Sequence, residues 1–420
     1  MRYVIIGNSA AGNAAATAIR ARDPGGEITI ISDEAEPAYY RPLIPLIIEG
    51  ERDRQSLYRD ELHTPQVVEV VLGQRATDID VRYRTVTLSG GEQLAYDRLL
   101  MSMGASAIHP PIPGLEGPDI FYLRHMGDAA AMREAAGNAR RAVVIGGGRI
   151  GTKAALALRH CGLEVAIVEA ESRIIPVQLD DAAAGIVGEA IRTRGIEVIL
   201  GQRVEKVVRE AGANGPSGVV LEGGRCLYGD MVVVAVGVTP NTELAQRAGV
   251  FVERGIVVDQ YLSTSLRHIY AAGDVAETRN VVTGDHLISG IWTNAVDMGR
   301  TAGENMAGGR RTYAGGFSLL NAMNLAGVPV VSVGIIEPPP TNDYQAEASS
   351  RGGNYRKLVF NGDVLEGALL VGDIVGAGVL VTLIREKTPL GSMKEKVIEP
   401  GFSYAHFMTS QAPVLDTYVR

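Results

Sequence analysis

Val4-Ile5-Ile6-Gly7-Asn8-Ser9-Ala10-Ala11-Gly12 opens the chain, and Val143-Val144-Ile145-Gly146-Gly147-Gly148-Arg149-Ile150-Gly151 repeats its pattern about 140 residues later. Each copy is an apolar strand that turns on glycine and enters an Ala-rich helical stretch, the fingerprint of a dinucleotide-binding βαβ turn. The chemistry needs glycine for space. A pyrophosphate must approach the unpaired N–H groups at a helix N-terminus, where the dipole favours an anion, and a side chain at the close-approach position would hold it off. The second copy has all three glycines, Gly146, Gly148 and Gly151, whereas the first places Ser9 in the middle. Two such sites in one chain imply two dinucleotides that meet and exchange electrons.

The sequence around the copies supports both. Glu27-Ile28-Thr29-Ile30-Ile31-Ser32-Asp33 and Glu164-Val165-Ala166-Ile167-Val168-Glu169 read as second strands ending in acid. Asp33 and Glu169 therefore stand at the offset of a carboxylate that grips an adenosine ribose. Short strands are expected at 67–72, 76–81 and 84–88 in the first half and at 197–200, 203–209 and 218–221 in the second. Each set leads to an apolar strand ending in glycine, Gly104 and Gly237. From Gly7 to Gly104 is 97 residues and from Gly146 to Gly237 is 91, so the chain reads as an internal duplication of one unit.

A length of 420 residues suggests two or three domains. Hydrophobic residues at 46%, charged residues at 21% and a net charge of −8 describe an ordinary globular protein without a nucleic-acid footprint. A strand beginning at Tyr3 leaves no room for a targeting peptide, so the cytoplasm is the expected location. The apolar run from Leu365 to Ile384 contains Glu366, Asp373 and several glycines, which favours buried strands or a packed helix over a membrane span. Two cysteines, Cys161 and Cys226, have neither metal nor CxxC spacing and are expected as small buried fillers. His63, His109, His125, His160, His268, His286 and His406 show no ligand spacing, so no metal is assigned.

With these motifs in place, the chain resembles the glutathione-reductase-like FAD/NAD-dependent pyridine nucleotide-disulfide oxidoreductases. More narrowly, it resembles the branch of NADH:rubredoxin reductases and the flavin domain of NADH-dependent nitrite reductases. Four further segments carry the likeness. Tyr39-Tyr40-Arg41-Pro42-Leu43 resembles the loop under the flavin, and Tyr270-Ala271-Ala272-Gly273-Asp274-Val275 the second FAD motif. Trp292-Thr293-Asn294-Ala295 resembles the segment beneath the flavin ring, and Val236-Gly237-Val238-Thr239-Pro240-Asn241 the close of the NAD domain.

The resemblance implies an α/β fold: two Rossmann-like dinucleotide-binding domains of three-layer ββα type and a C-terminal α+β interface domain. Residues 1–110 and 243–312 would form a discontinuous FAD domain, 111–242 an NAD domain, 313–391 a dimerisation or docking domain and 392–420 a tail. In that tail Phe402, Tyr404, Phe407 and Tyr418 could pack along a partner or cap the C-terminal domain. The implied FAD contacts are Gly7, Ser9, Ala10, Ala11, Gly12, Asp33, Arg41, Pro42, Ala76, Gly104, Gly273, Asp274, Trp292, Asn294 and Ala295. Those for NAD are Gly146, Gly148, Arg149, Ile150, Gly151, Glu169 and Gly237.

Departures narrow the implied chemistry. The loop from Arg41 to Gly50 has no cysteine, so thiol-based reduction of disulfides or peroxide is not expected; Met103 and Leu46 replace a threonine and a lysine found in relatives. Lys153 is placed in the first turn of the NAD-domain helix, where a cation is locally unfavourable. It is read either as a residue near the nicotinamide or reduced flavin, or as a counter-charge to pyrophosphate. Glu169 favours NAD(H) over NADP(H).

The implied reaction is hydride transfer from NADH to FAD, then electron release to an iron-containing carrier or iron–sulfur partner subunit, in either direction, and an aldehyde-oxidising or nitrite-reducing complex would fit it. The alternatives are a free-standing NADH oxidase or quinone reductase, and a redox-responsive flavin-bound interaction protein. A homodimer or hetero-oligomeric subunit is expected.

Overall fold

The computed structural model describes residues 1–59, 68–209, 218–341, 343–399, 401–403 and 405. It divides into two compact units, the first comprising residues 1–175, 191–280 and 284–316 and the second residues 176–190, 281–283 and 317–420.

The first unit contains the duplication twice over. Strand Arg2–Ile6 lies between Glu27–Ile31 and Arg98–Met101, all parallel, with Glu69–Val71 beyond one and Ile269–Ala271 beyond the other. Strand Arg141–Ile145 likewise lies between Glu164–Val168 and Met231–Val234, with Ile196–Ile199 and Ile120–Tyr122 outside them. These strands read as continuous aliphatic runs because a parallel sheet covered on both faces leaves no polar side. Ile5, Leu99, Leu100, Val144 and Val233 are fully buried. Each sheet is accompanied by a three-stranded antiparallel sheet: Ala76–Asp80, Thr85–Leu88 and Gln93–Ala95 in the first half, Val204–Val208, Gly218–Leu221 and Cys226–Leu227 in the second. The short strands thus form where the sequence places them, trimmed at their ends, and Val67 of the first lies outside the described residues.

After Met231–Val234 the chain returns to the first sheet. Residues Val238–Pro240 pair antiparallel with Ala105–Ala107, and helix Trp292–Met306 then crosses helix Ala10–Arg22. That crossing is tight: a Cβ on Gly299 or Gly303 would run into the carbonyls of Ala11 and Ala15.

The second unit is an antiparallel sheet ordered Leu320–Leu325, Val328–Gly334, Val364–Val371, Asn354–Asn361, Tyr344–Arg351. Helix Ala377–Arg385 covers it through Leu380, Leu383 and Ile384. The apolar run 365–384 is therefore a buried strand followed by a packed helix, and no helix among the described residues is long and apolar enough to cross a membrane. Phe402 belongs to this core, while Tyr404, Phe407 and Tyr418 lie outside the described residues.

Residues 176–190, drawn from the middle of the second dinucleotide unit, also belong here. Asp180 accepts hydrogen bonds from Tyr355 Oη at 2.7 Å and Lys357 Nζ at 3.0 Å, and from the Ala183 N–H at the start of helix Asp181–Thr193.

Candidate functional site

In both copies of the fingerprint the glycines occupy positions that a side chain would close. Gly7 and Gly146 have φ of +118° and +102°, and a Cβ there would strike the carbonyls of Ser102 and Ala235. A Cβ on Gly12 would meet the Gly7 carbonyl, and one on Gly151 the Gly146 carbonyl. The middle position differs: a Cβ on Gly148 has nothing within 4 Å. Gly148 caps helix Arg149–His160 and Ser9 caps helix Ala10–Arg22, neither helix has an acid in its first turn, and the Ser9 hydroxyl makes no capping bond. Each turn thus keeps its N-terminal N–H groups and positive dipole end, with open space at the second N-cap, which fits an anionic pyrophosphate.

The two ribose-offset acids have unlike surroundings. Asp33 is exposed and pairs with Arg75 at 3.3 Å. Glu169 is 8% exposed, its Oε2 accepting the Gly147 N–H at 2.6 Å and its Oε1 that of Glu171 at 2.9 Å.

A third group of residues gathers around Asp274. Arg124 Nη2 lies 2.9 Å from Asp274 Oδ2, and the fields of Arg41 and Arg149 reach the same carboxylate. Burial lowers the Arg149 pKa, opposed by Asp274. Arg41 is a hub: Nη2 pairs with Glu34 Oε1 at 2.5 Å, and Nη1 donates to the Arg124 carbonyl at 2.8 Å and lies 3.0 Å from His125 Nδ1. Glu34 Oε2 accepts from Tyr39 Oη at 2.6 Å and lies 3.2 Å from the same His125 nitrogen. Burial pushes the Glu34 carboxyl up, but His125, Arg41 and Tyr39 outweigh it and hold it at about 2. Burial also pushes the Tyr39 hydroxyl well above its ordinary value.

The structure therefore brings Arg41, Asp274 and Arg149 together and adds Glu34, Arg124 and His125, which the sequence reading did not single out. The one local sign of them is Asp128, which accepts the N–H groups of Arg124 and His125 to cap helix Met126–Ala136.

The other expected residues fall as follows. Gly273 packs on Ala11 and Ala295, its notional Cβ 3.1 and 3.8 Å from theirs; Ala10, Ala11 and Ala295 are buried. Gly104 has φ +67° and faces Arg124, and Gly237 has φ +120° and faces Ile108. Trp292 sits 5.9 Å from Tyr40, centroid to centroid, with Arg59 over both rings. Asn294 is buried and donates to Ser289 Oγ at 2.6 Å. Pro42 and Ile150 are exposed, and Ala76 is buried in the core beneath the first sheet.

Two sequence readings need correction. Lys153 is the fifth residue of helix Arg149–His160, so it stands in the second turn, not the first. The cysteines are not buried fillers: Cys161 is exposed and Cys226 intermediate. Cys161 falls at the helix C-cap, past the buried face of Ala154, Ala155, Ala157 and Leu158, and its thiol reaches the Ile48 carbonyl at 3.1 Å. Burial pushes that thiol up, away from the reactive thiolate. Among the histidines, one stands beside two acids. His286 lies 3.8 Å from Glu253 and 3.5 Å from Glu277, although Glu277 is already held by Arg254 and by the N–H groups of Arg254 and Gly255. His63 and His406 lie outside the described residues.

Residues 1–299 match the family described as pyridine nucleotide-disulphide oxidoreductase. The chain belongs to that family. Residues 320–388 match the rubredoxin NAD+ reductase C-terminal domain. The chain is 30% identical over 415 residues to the NADH-dependent phenylglyoxylate dehydrogenase subunit epsilon of Aromatoleum evansii, covering 98% of this chain and 97% of that one. It is 29% identical over 376 residues to the assimilatory nitrate reductase electron transfer subunit of Bacillus subtilis, covering 89% of this chain but only 48% of that protein. The solved structure of an NAD-dependent persulfide reductase from A. fulgidus superposes with a TM-score of 0.87 at 29% identity, covering 96% of this chain and 80% of that one. The chain is thus an oxidoreductase of the flavoprotein type that uses FAD and NAD(H).

Proposed function

We propose that this chain is the NAD(H)-facing flavin subunit of a larger redox enzyme, moving electrons between NAD(H) and an iron-containing carrier or iron–sulfur partner. The observation that carries the reading is the pair of glycine-cleared turns in one compact unit, combined with a flavin-side loop, Arg41 to Gly50, that offers no thiol. The Cys161 thiol, which reaches this loop, donates to the Ile48 carbonyl, and burial pushes its pKa up. The relatives that assemble as subunits support the same reading.

In this reading residues 1–110 and 243–312 form the FAD domain, 111–242 the NAD domain and 313–391 the docking domain, in the cytoplasm. Gly7, Ser9, Ala10, Ala11 and Gly12 give the FAD pyrophosphate its approach to the first helix. Asp33 takes the adenosine ribose, while Arg41, Pro42, Gly104, Gly273, Asp274, Trp292, Asn294 and Ala295 line the rest, with Ala76 behind them. Gly146, Gly148, Arg149, Ile150, Gly151 and Gly237 receive NAD(H), and Glu169 faces its ribose. FAD, when bound, supplies the exchange between two-electron hydride chemistry and one-electron release. The residues orient the two rings and exclude water, and the guanidinium groups around Asp274 place positive charge where the flavin gains negative charge.

The test is anoxic purification, with mass spectrometry of the co-purifying proteins and absorbance spectra before and after NADH. An iron–sulfur protein in stoichiometric amount and a flavin bleached by NADH are expected. A lone dimer that passes electrons directly to quinone or oxygen, and not to rubredoxin or ferredoxin, would replace the reading with a free-standing oxidase. A flavin untouched by NADH would remove it.

A further inference from the structure

The C-terminal antiparallel sheet ends on strand Tyr344–Arg351, and this end differs from the other sheet ends of the molecule. It runs for 8 residues, all exposed except Tyr344. The strands that end the five-stranded sheets elsewhere are 3 to 6 residues long: Glu69–Val71, Ile269–Ala271, Ile196–Ile199, Ile120–Tyr122 and, across its own sheet, Leu320–Leu325. A long exposed edge is a template for pairing with another chain, and short length, lysine, proline or a bulge usually guards against it. Tyr344-Gln345-Ala346-Glu347-Ala348-Ser349-Ser350-Arg351 contains no lysine or proline and pairs with Asn354–Asn361 without a shift of register.

The strand is held at both ends. Gly352 and Gly353, at φ +59° and +82°, make the two-residue turn into Asn354–Asn361. At the other end Tyr344 Oη donates to Glu366 Oε2 at 2.9 Å, and Lys394 Nζ donates to Gln345 Oε1 at 2.8 Å. One backbone bond sets the direction of the rest: the Asp343 carbonyl accepts the Gly362 N–H at 3.3 Å. In an antiparallel ladder this turns the N–H and C=O groups of Gln345, Glu347, Ser349 and Arg351 toward the neighbouring strand. Those of Ala346, Ala348 and Ser350 then point outward. Among the described residues no strand pairs with that outward row.

We propose that this edge is a self-association surface: Tyr344–Arg351 pairs antiparallel with the same strand of a second copy of this chain, with Ser349 on the two-fold axis. The charges select that register. With Ser349 opposite Ser349, Glu347 of each copy stands opposite Arg351 of the other, twice by symmetry. These are non-hydrogen-bonded positions, where facing side chains come closest and opposite charges stabilise a pair. Ala348 and Ser350 face one another between them and supply about four backbone hydrogen bonds from the outward row. Sliding the strands until Glu347 lies on the axis would set that carboxylate against itself, which is destabilising. Both charged residues are exposed, and among the described residues no ion pair engages either. The pairing joins two five-stranded sheets into one continuous sheet. It gives the docking domain proposed above one definite occupant and does not depend on the redox chemistry.

The test is sedimentation of the FAD-loaded full chain over a concentration series. A reversible dimer is expected, weakened by added salt. Glu347→Lys sets two cations opposite each other and is expected to raise the dimer dissociation constant about tenfold or more, and adding Arg351→Glu restores it. Under mild oxidant Ser349→Cys is expected to cross-link into a dimer faster than wild type, whose Cys161 and Cys226 give the background. It should also cross-link faster than Ala348→Cys, because Ala348 faces Ser350 and not itself. A chain that stays monomeric, or a dimer indifferent to Glu347→Lys, overturns the proposal. So does a double variant no tighter than Glu347→Lys alone, or Ala348→Cys cross-linking as fast as Ser349→Cys. Reduction of the flavin by NADH is expected to be unchanged in every variant, and a wild-type flavin that NADH leaves oxidised overturns the redox reading and not this pairing.

Discussion

The two dinucleotide turns share a backbone plan and differ in how each is finished. The second is closed from within: Glu169, the acid at the ribose offset, is buried and pins the N–H of Gly147, so it also shapes the glycine loop. The first is finished from a distance. Asp33 stays on the surface, and order comes from Glu34, one residue on, which joins Arg41 and His125 from separate parts of the chain. The outer strands differ in the same sense. Ile120–Tyr122 precedes its own fingerprint, whereas Ile269–Ala271 returns to the first sheet after the whole second unit. A duplicated unit thus diverged mainly in what surrounds its turns: the second remains close to self-contained, and the first depends on the rest of its chain.

The comparison breaks most sharply at the third glycine. Gly151→Val forces a side chain into the Gly146 carbonyl, an overpacking worth about 1–3 kcal/mol or more. Gly151→Val is expected to keep its yellow colour but lose reduction by NADH, and Gly12→Val to purify without flavin. Absorbance spectra of the two proteins, with and without NADH, decide this, and both variants losing flavin would mean the copies are not separate sites.

At the next level, Glu169→Ala leaves the Gly147 N–H buried and unpaired, a cost of about 1–3 kcal/mol. A rise of about tenfold or more in KM for NADH is expected, about 1.4 kcal/mol, with a smaller rise for NADPH. Steady-state kinetics with both nucleotides test it, and an unchanged KM would mean that Glu169 serves the loop alone.

The distant finishing of the first turn predicts an acid signature. The Glu34 carboxyl is held at about 2, below its ordinary 4.5, so its contribution is full above the unfolded value and is lost as pH falls through the folded one. Glu34→Gln should lower the thermal midpoint by a few degrees at neutral pH. Its deficit against wild type should close between about pH 4.5 and about 2. Calorimetry across that range checks the sign, and a deficit that widens in acid would contradict it.

The smallest effects belong to surface and open positions. Asp33→Ala removes an exposed pair worth at most about 1 kcal/mol, and Ser9→Gly only makes the first turn like the second. FAD affinity measured by fluorescence quenching should change less than about tenfold for either, within 1.4 kcal/mol. A larger loss in Ser9→Gly would show that the hydroxyl is itself a ligand.

Much of this was legible before any coordinates. The inner strands of both parallel sheets and the short strands after them follow from apolar runs and glycine spacing, each a local pattern or a turn with one steric solution, while the return near Gly273-Asp274 follows from the likeness of that segment to the second FAD motif. The network around Asp274 was not legible. Arg41 and Arg124 are 83 residues apart and Arg124 and Asp274 are 150 apart, and no periodicity links them. The exposed Cys161 was misread for a similar reason. Its type suggests burial, yet its place depends on where the helix ends and which face turns inward.

The sequence by itself determined two dinucleotide turns, their acids, and the lack of a thiol in the loop from Arg41 to Gly50, since close approach of backbone to an anion leaves few residue choices. The tertiary structure decided which charges meet. It buried Glu169 and exposed Asp33, and it gathered three arginine side chains toward one aspartate. Sterics act between neighbours in the chain and can be read there. Electrostatics acts between neighbours in space, which only the fold creates.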